Sequence, residues 1–69
     1  MFSREVATQL CEHIASGKSL LKACAEPGMP ASSVVGRWLL KDGEEYDWFR
    51  VSYARARERQ ADAIFDEII

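Results

Sequence analysis

Apolar residues near the start of the chain recur every three or four positions, which is the spacing of one face of an α-helix. Ser3 precedes them and is suited to cap the helix, and Glu5 falls in the first turn, where the helix dipole favours an acid. Gly17 fits the position just past the helix end. The predicted buried face of this first helix consists of Val6, Ala7, Leu10, Cys11 and Ile14.

A shorter apolar cluster follows, and we expect a second helix there with Ser19 as its N-cap. The inward side of this helix is predicted to consist of Leu20, Leu21 and Cys24. Pro27 disfavours helical geometry at the residue before it, and Gly28 permits a tight turn.

A third helix is predicted from about residue 30 to residue 40, and its expected buried residues are Val34, Val35, Trp38 and Leu39. Residues from about 19 to 40 therefore have the order helix, turn, helix. Two short helices joined by a glycine-containing turn form the helix-turn-helix unit, whose second helix commonly enters the major groove of DNA. The same geometry also occurs in helical domains that never touch DNA.

Asp42 and Gly43 end the third helix, and a fourth helix is predicted from about Glu45 to the last residue. Its apolar side carries Phe49, Tyr53, Ala56, Ala63 and Ile64, and its polar side carries Arg55, Arg59, Asp62 and Asp66. Its last turns are rich in large apolar residues: Ile64, Phe65, Ile68 and Ile69. We expect this tip to pack on a partner subunit, or the natural chain to continue into an oligomerisation domain. The alternative is a tip that folds back onto the first helix.

The predicted fold class is all-α: a compact helix-turn-helix domain of about four helices, of which the C-terminal helix is the longest. The 69 residues form one small domain, 1–69, and a hydrophobic content of 48% supports one core. No apolar stretch is long enough to cross a bilayer, and no signal peptide is visible. We therefore expect no membrane association and a location in the cytosol.

Few residues are suited to catalysis or metal binding. The chain has two cysteines, Cys11 and Cys24, and one histidine, His13, which are too few for a zinc site built from this domain alone. Both cysteines occupy apolar positions, so we expect free, buried thiols. The sequence contains no Ser/His/Asp set, no paired carboxylate site and no Gly-rich phosphate loop. The expectation is a protein with no enzymatic activity, no cofactor and no metal.

The charged residues are unevenly distributed along the chain. The net charge of −2 and the pI of about 5.3 count against a simple nucleic-acid binder, whose surface is usually basic. Acids are concentrated in residues 42–47 and 60–69, whereas residues 50–59 contain Arg50, Arg55, Arg57 and Arg59. This segregation is compatible with a basic patch on an acidic domain. The arginines either contact phosphate or form pairs along the helix, such as Arg55 with Glu58 and Arg59 with Asp62.

The exposed side of the third helix is poor in residues that read bases. Its early exposed positions include Ser32, Ser33 and Gly36, which are small. Only Arg37, with Lys41 behind it, reaches a guanine edge or a phosphate strongly. This composition predicts modest base readout and a large share of phosphate contact.

Lys18 and Lys22 fall at the start of the second helix, where helix-turn-helix units meet the DNA backbone. The alternative is that both are ordinary solvated lysines. Trp38 is expected in the core rather than as a stacking platform for bases.

Two long segments carry a family resemblance: SLLKACAEPGMPASSVVGRWL at residues 19–39 and YARARERQADAIFDEI at residues 53–68. Their most specific elements are Gly28-Met29-Pro30, Arg37-Trp38-Leu39, and Tyr53-Ala54 with Gln60-Ala61-Asp62. In this order and spacing they resemble the N-terminal domain of bacteriophage terminase small subunits. The resemblance extends from about Val6 to Ile68.

The resemblance implies a function in viral genome packaging. Small subunits of this family are not enzymes: they recognise the viral DNA, assemble into a homo-oligomeric ring and deliver DNA to the large terminase subunit. The implied partners are therefore double-stranded viral DNA, the large terminase subunit and further copies of the same chain, in the host cell cytoplasm. Several weak contacts on one ring would raise avidity without a strongly basic monomer.

The resemblance also implies a set of DNA contacts. Lys22 and Arg37 are the first candidates, and the others are Ser32, Ser33, Lys41 and Lys18. One position departs from the family, which usually has a large side chain before the Arg-Trp-Leu triplet, whereas this chain has Gly36. We therefore expect no base contact from that position, and either a gap on the exposed face or close approach of the backbone.

Two other functions are compatible with the sequence. A helix-turn-helix transcriptional regulator or transposase-type module would dimerise and show site preference. A helical protein-interaction or oligomerisation module without DNA binding is favoured by the acidic pI and the apolar tail.

Overall fold

A computed structural model of the chain describes the backbone of residues 2–68 and the side chains of residues 2–62. Its four helices are α1 (Arg4–Ala15), α2 (Leu20–Cys24), α3 (Ser32–Leu40) and α4 (Glu44–Ile68), and residues 2–68 contain no strand. The prediction of an all-α domain with the longest helix at the C-terminal end is confirmed, since α4 has 25 residues. No helix in the described part of the chain has the length and apolar character needed to cross a membrane.

The starts of α1 and α2 are capped by the serines that the sequence predicts. The backbone N–H of Val6 donates to Ser3 Oγ at 3.4 Å, and that of Lys22 donates to Ser19 Oγ at 3.3 Å. These bonds satisfy amide groups that a helix N-terminus otherwise leaves without a partner. Two serines thus fix the first residues of two helices.

The connection between α2 and α3 is longer than a tight turn. α3 begins at Ser32 rather than near residue 30, because Ala31 is extended (φ −66°, ψ 153°) and makes no side-chain cap bond. The connection therefore covers residues 25–31, whereas helix-turn-helix units commonly use three or four residues. Gly28 lies within it at φ +82°, a left-handed conformation that glycine adopts without strain.

The core lies mainly between α1 and α4, which make the most extensive helix–helix contact. Leu10 and Ile14 of α1, Val35 of α3 and Phe49 of α4 are the largest fully buried side chains. The predicted inward face of α1 is confirmed, with Val6 only half-buried at its edge. Side chains of α1 and α3 therefore pack together with Phe49 of α4 in one core.

An aromatic cluster joins the N-terminal segment to α3 and α4. The ring of Phe2 lies 4.9 Å from that of Trp38 and 5.0 Å from that of Tyr46, and Trp38 packs edge-on against Phe49 at 5.6 Å. Aromatic rings in such arrangements attract each other beyond the burial of their area. Trp38 is buried as predicted, but the contribution of Phe2 is not visible in the sequence pattern.

The prediction for α2 is wrong at one residue. Leu21, expected to face inward, is 72% exposed, and Ala23 is fully buried instead. Each helical residue turns by about 100°, so Ala23 and Cys24 share the side of Leu20 while Leu21 points away from it. In a helix of only five residues, the apolar cluster gives too little periodicity to separate these positions.

The inward side of α4 is confirmed as far as the side chains are described. Phe49 and Ala56 are buried and Tyr53 is half-buried, while Arg55, Arg59 and Asp62 are exposed as expected. The predictions for Ala63, Ile64, Phe65, Asp66, Ile68 and Ile69 concern side chains outside the described residues. How the apolar tip packs therefore stays a prediction.

Arg50 of α4 caps the end of α3. Its Nη1 donates to the carbonyl oxygens of Leu39 at 3.2 Å and Lys41 at 2.6 Å, and its Nη2 donates to the carboxylate of Asp47. The last carbonyl groups of a helix lack partners within the helix, so a cation there satisfies them. This side chain fixes the end of α3 against α4.

Replacing Arg50 by alanine removes these bonds and should lower the free energy of unfolding by about 1–3 kcal/mol, as expected for hydrogen bonds to a charged group. Urea denaturation measures the change. Arg59→Ala is the matched control, because Arg59 is an exposed arginine of the same helix and its loss should change stability by less than about 0.5 kcal/mol. Equal effects of the two variants would contradict the capping role.

Both cysteines are free, and Cys11 is buried while Cys24 is only half-buried. Burial raises the pKa of the Cys11 thiol from 9.0 to about 11, because the thiolate loses its hydration. Burial also raises the pKa of Cys24. The predicted free thiols are therefore confirmed, with one of them less buried than expected.

The raised pKa of Cys11 predicts a pH dependence of stability. The neutral thiol contributes fully below pH 9.0, and its contribution is lost as the pH rises towards about 11, since the unfolded chain then ionises first. The free energy of unfolding should therefore fall more steeply between these pH values in the wild type than in Cys11→Ala, which shares every other titrating group. Urea denaturation at a series of pH values tests this. Parallel curves would show that Cys11 ionises equally in both states.

Candidate nucleic-acid interface

The outer face of α3 presents the candidate recognition residues. Ser33 and Arg37 are both exposed, and their spacing of four residues puts them on the same side of the helix. Ser32 is half-buried at the start of the helix. Leu40, three residues after Arg37, is 86% exposed, which the sequence pattern did not predict.

Arg37 has no acidic partner within the described part of the chain. The ion pairs found among residues 2–62 are Lys18 with Glu26 and Arg50 with Asp47. The Arg37 guanidinium therefore has all its donors available to a ligand, and it lies in the middle of an exposed helix face. An exposed guanidinium with free donors is able to bind a phosphate or a guanine edge.

The two lysines before and within α2 differ in their surroundings. Lys22 is exposed, whereas the ammonium of Lys18 lies 3.5 Å from Glu26 Oε1 and 3.3 Å from His13 Nδ1. A phosphate would have to compete with Glu26 for Lys18. The ammonium of Lys22 is therefore more accessible to an anion than that of Lys18.

Lys41 lies beyond the helical part of the recognition segment. It is the C-cap of α3 with extended geometry (φ −80°, ψ 151°), so its side chain does not continue the helical face of Arg37. It is exposed, and its ammonium lies 5.7 Å from the centre of the Tyr46 ring. Of the six predicted contacts, Ser33, Arg37 and Lys22 thus have exposed side chains on the helix-turn-helix helices themselves.

The gap at Gly36 is open space. A Cβ atom built there meets no atom of the described structure within 4 Å, outside its sequence neighbours and the local helix backbone. Packing therefore does not require a glycine at this position, and a larger side chain would have room. Its cost is the flexibility of a glycine inside a helix, about 1 kcal/mol relative to alanine.

Gly36→Ala should therefore raise the free energy of unfolding by about 0.5–1 kcal/mol, because it lowers the entropy of the unfolded chain without a clash. Gly28→Ala is the control of opposite sign, since Gly28 has φ +82° and alanine is strained there. Thermal and urea denaturation of both variants give the comparison. A destabilised Gly36→Ala protein would show that a close approach at this site has been overlooked.

The arginines of α4 do not form the pairs suggested by their spacing. Within the part of the chain whose side chains are described, neither Arg55 with Glu58 nor Arg59 with Asp62 comes within 4.0 Å. The guanidinium of Arg50 is occupied by the end of α3. Among the residues searched, no group of three or more His, Cys, Asp or Glu side chains is placed to hold a metal ion.

A family model and solved structures both match this chain, and they indicate the same family. The model of the family described as "Bacteriophage Sf6, terminase small subunit-like" matches residues 2–69. Among curated proteins, none matches this sequence.

Crystal structures of the terminase small subunit gp1 of the bacterial virus Sf6 are similar over 99% of this chain and 49% of theirs. An arginine-to-alanine variant is 47% identical with a TM-score of 0.87, and an aspartate-to-arginine variant is 50% identical with a TM-score of 0.85. A lysine-to-glutamate variant is 48% identical with a TM-score of 0.87. The chain thus spans about half the length of these relatives, and it belongs to the Sf6 terminase small subunit-like family of bacteriophages.

Proposed function

We propose that this chain is the DNA-recognition domain of a phage terminase small subunit, which binds double-stranded viral DNA to initiate genome packaging and presents it to the large terminase subunit. The observation that carries the proposal is the exposed Arg37 on α3, which has no acidic partner among the described side chains. An arginine fork in this position is suited to phosphate oxygens and to guanine.

The surface would bind DNA by approach of α3 to the major groove. Ser33 and Arg37 face the groove, and Lys22 on α2 meets the phosphate backbone beside it. Ser32 and Ser33 have small side chains and Gly36 has none, so the backbone of α3 can come close to the DNA. With few long side chains at the base edges, binding depends mainly on phosphate contacts and falls steeply with salt.

The role proposed for the domain is binding rather than catalysis. In the full-length protein, an oligomerisation domain following residue 69 would assemble several copies into a ring in the host cell cytoplasm. Copies held on one ring raise the effective concentration of the neighbouring sites, so a weak single domain is sufficient. This explains how a domain with a net charge of −2 serves a DNA-binding protein.

The test is titration of a fluorescent duplex with the wild type and with a variant carrying both Lys22→Ala and Arg37→Ala. Loss of two phosphate-type contacts should weaken binding about a hundredfold at about 50 mM salt and reduce the slope of log K against log salt by about 2. The matched control carries Arg55→Ala and Arg59→Ala, which remove the same charge from another exposed surface.

Unchanged binding by the Lys22/Arg37 variant would refute the proposed surface. Equal losses in the two double variants would mean that net charge, not this face, governs binding. Selection from random duplexes that returned one sharp palindrome would instead favour a regulatory or transposase-type module.

A protein-interaction module is the second candidate, and the exposed leucines favour it. Leu21 is 72% exposed and Leu40 is 86% exposed, and both belong to the helix-turn-helix segment. If these exposed leucines bind a protein and the domain does not bind DNA, no duplex should bind even at low salt. Leu40→Ser should then change the oligomeric state. The duplex titration above therefore separates the two candidates.

A further inference from the structure

Two sets of arginines lie on opposite sides of α4. Arg50 and Arg57 are seven residues apart, close to two full helical turns, and therefore share one side. Arg50 reaches the end of α3, and Arg57 lines a cavity beside the α1–α2 connection. Arg55 and Arg59 line a separate groove against α1, together with Thr8 and Cys11 among others. The side with Arg50 and Arg57 is thus the side next to the end of α3 and to the α1–α2 connection.

The cavity beside Arg57 has a volume of about 310 Å³ and is lined by Gly17, Ser19, Leu20, Arg57 and Gln60. It is open to solvent on one side, and its walls are the start of α2 and the middle of α4. Ser19 is the N-cap of α2, so the cavity lies where the α1–α2 connection enters the helix-turn-helix segment.

A hydrogen bond holds the two walls together. Gln60 Nε2 donates to the carbonyl oxygen of Lys18 at 2.6 Å, which ties the α1–α2 connection to α4 across 42 residues of sequence. The bond is partly shielded from solvent. Arg57, one turn before Gln60, is therefore held at a fixed position relative to the start of α2.

The charge of Arg57 is not neutralised by the described part of the chain. Its Nη1 lies 3.5 Å from the hydroxyl of Tyr53, and its guanidinium carbon lies 5.9 Å from the centre of that ring. Neither ion pair found among residues 2–62 includes it. Contact with the aromatic ring limits the motion of the guanidinium and leaves most of its donors for a ligand.

We propose that Arg57 is a further phosphate contact and that the DNA-binding surface extends from the helix-turn-helix onto α4. The ligand is a phosphodiester group of duplex DNA, lying at the mouth of the cavity between Arg57 and the start of α2. α2 has only five residues and is no anion site by itself, so the positive charge lining this cavity comes from Arg57. The proposal rests on the DNA-binding function proposed above, whose candidate residues all lie before α4.

The proposal also gives the two arginines of this side different roles. Arg50 donates hydrogen bonds to carbonyl oxygens at the end of α3, whereas Arg57 lines the cavity. A phosphate beside the α1–α2 connection would meet the charge of Arg57, whose helix is tied to that connection through Gln60. Each phosphate neutralised in this way releases condensed counterions, which makes the contact visible in the salt dependence of binding.

The experiment compares Arg57→Gln with Arg55→Gln in titrations of a fluorescent duplex over a series of salt concentrations. Both variants remove one charge from the same helix, but only Arg57 lines the cavity beside α2. Arg57→Gln should lower the slope of log K against log salt by about 1 and weaken binding about tenfold at about 50 mM salt. Arg55→Gln should leave both quantities unchanged, and Arg57→Lys should retain the slope.

Thermal denaturation of each variant checks that the domain is folded, and Arg57→Lys keeps the proposal testable if the glutamine variant is unstable. Equal behaviour of Arg57→Gln and Arg55→Gln, with binding still lost in the Lys22/Arg37 variant, overturns the role of Arg57 and leaves the DNA-binding function standing. Absence of any duplex binding by the wild type at low salt overturns both the role of Arg57 and the proposed DNA-binding function.

Discussion

Phe49 of α4 is fully buried against the apolar face of α1, where Leu10 and Ile14 are also fully buried. This packing of α1 on α4 is the contact on which the other helices depend. α2 has five residues and α3 has nine, and isolated helices of such length are not stable in water. Each becomes fixed because a few side chains, chiefly Ala23, Val35 and Trp38, reach the core that α1 and α4 create. The geometry of the candidate DNA surface is therefore a consequence of helix packing elsewhere.

The elements with strong periodicity were predictable from the sequence, and the weakly periodic ones were not. The inward face of α1 followed from five apolar residues at helical spacing, and the serine caps followed from their side-chain chemistry. Leu21 was misassigned because five residues contain too little periodic information. Phe2 precedes the first helix, so helical periodicity gave no indication that its ring packs against Trp38.

The candidate site shows the same division. Exposure of Ser33 and Arg37 was predictable from their helical positions, since the opposite side of α3 is apolar. The surroundings of Lys18, Arg50 and Arg57 were not, because each depends on a residue distant in the chain or on the fold of a connection. Their identical charges in the sequence conceal three situations: a cation paired with Glu26, a cation that caps a helix, and a cation beside a cavity.

Separation of charge along the chain reconciles the acidic composition with the proposed function. Acidic residues 42, 44, 45 and 47 lie around the start of α4, where the helix dipole favours them. Lys22 lies on α2, Arg37 lies on α3, and Arg57 lies on α4 beside the α1–α2 connection. None of these three cations lies in that acidic segment, so the proposed DNA contacts are compatible with the net charge of −2. In the function that we propose, a few such contacts bind DNA weakly in one domain and more tightly when several copies act together.

Backbone amide chemical shifts, followed by NMR while a short duplex is added at low salt, test the location of this surface most directly. The account predicts that the perturbed amides cluster at residues 18–22, 32–41 and around Arg57. Amides around Thr8 on α1 should keep their shifts, and so should the side-chain Nε–H groups of Arg55 and Arg59, which line the groove against α1. The side-chain Nε–H group of Arg57 should move. Perturbations confined to the α1–α4 groove, with α3 unaffected, would contradict the account, because DNA would then bind the face turned away from the helix-turn-helix.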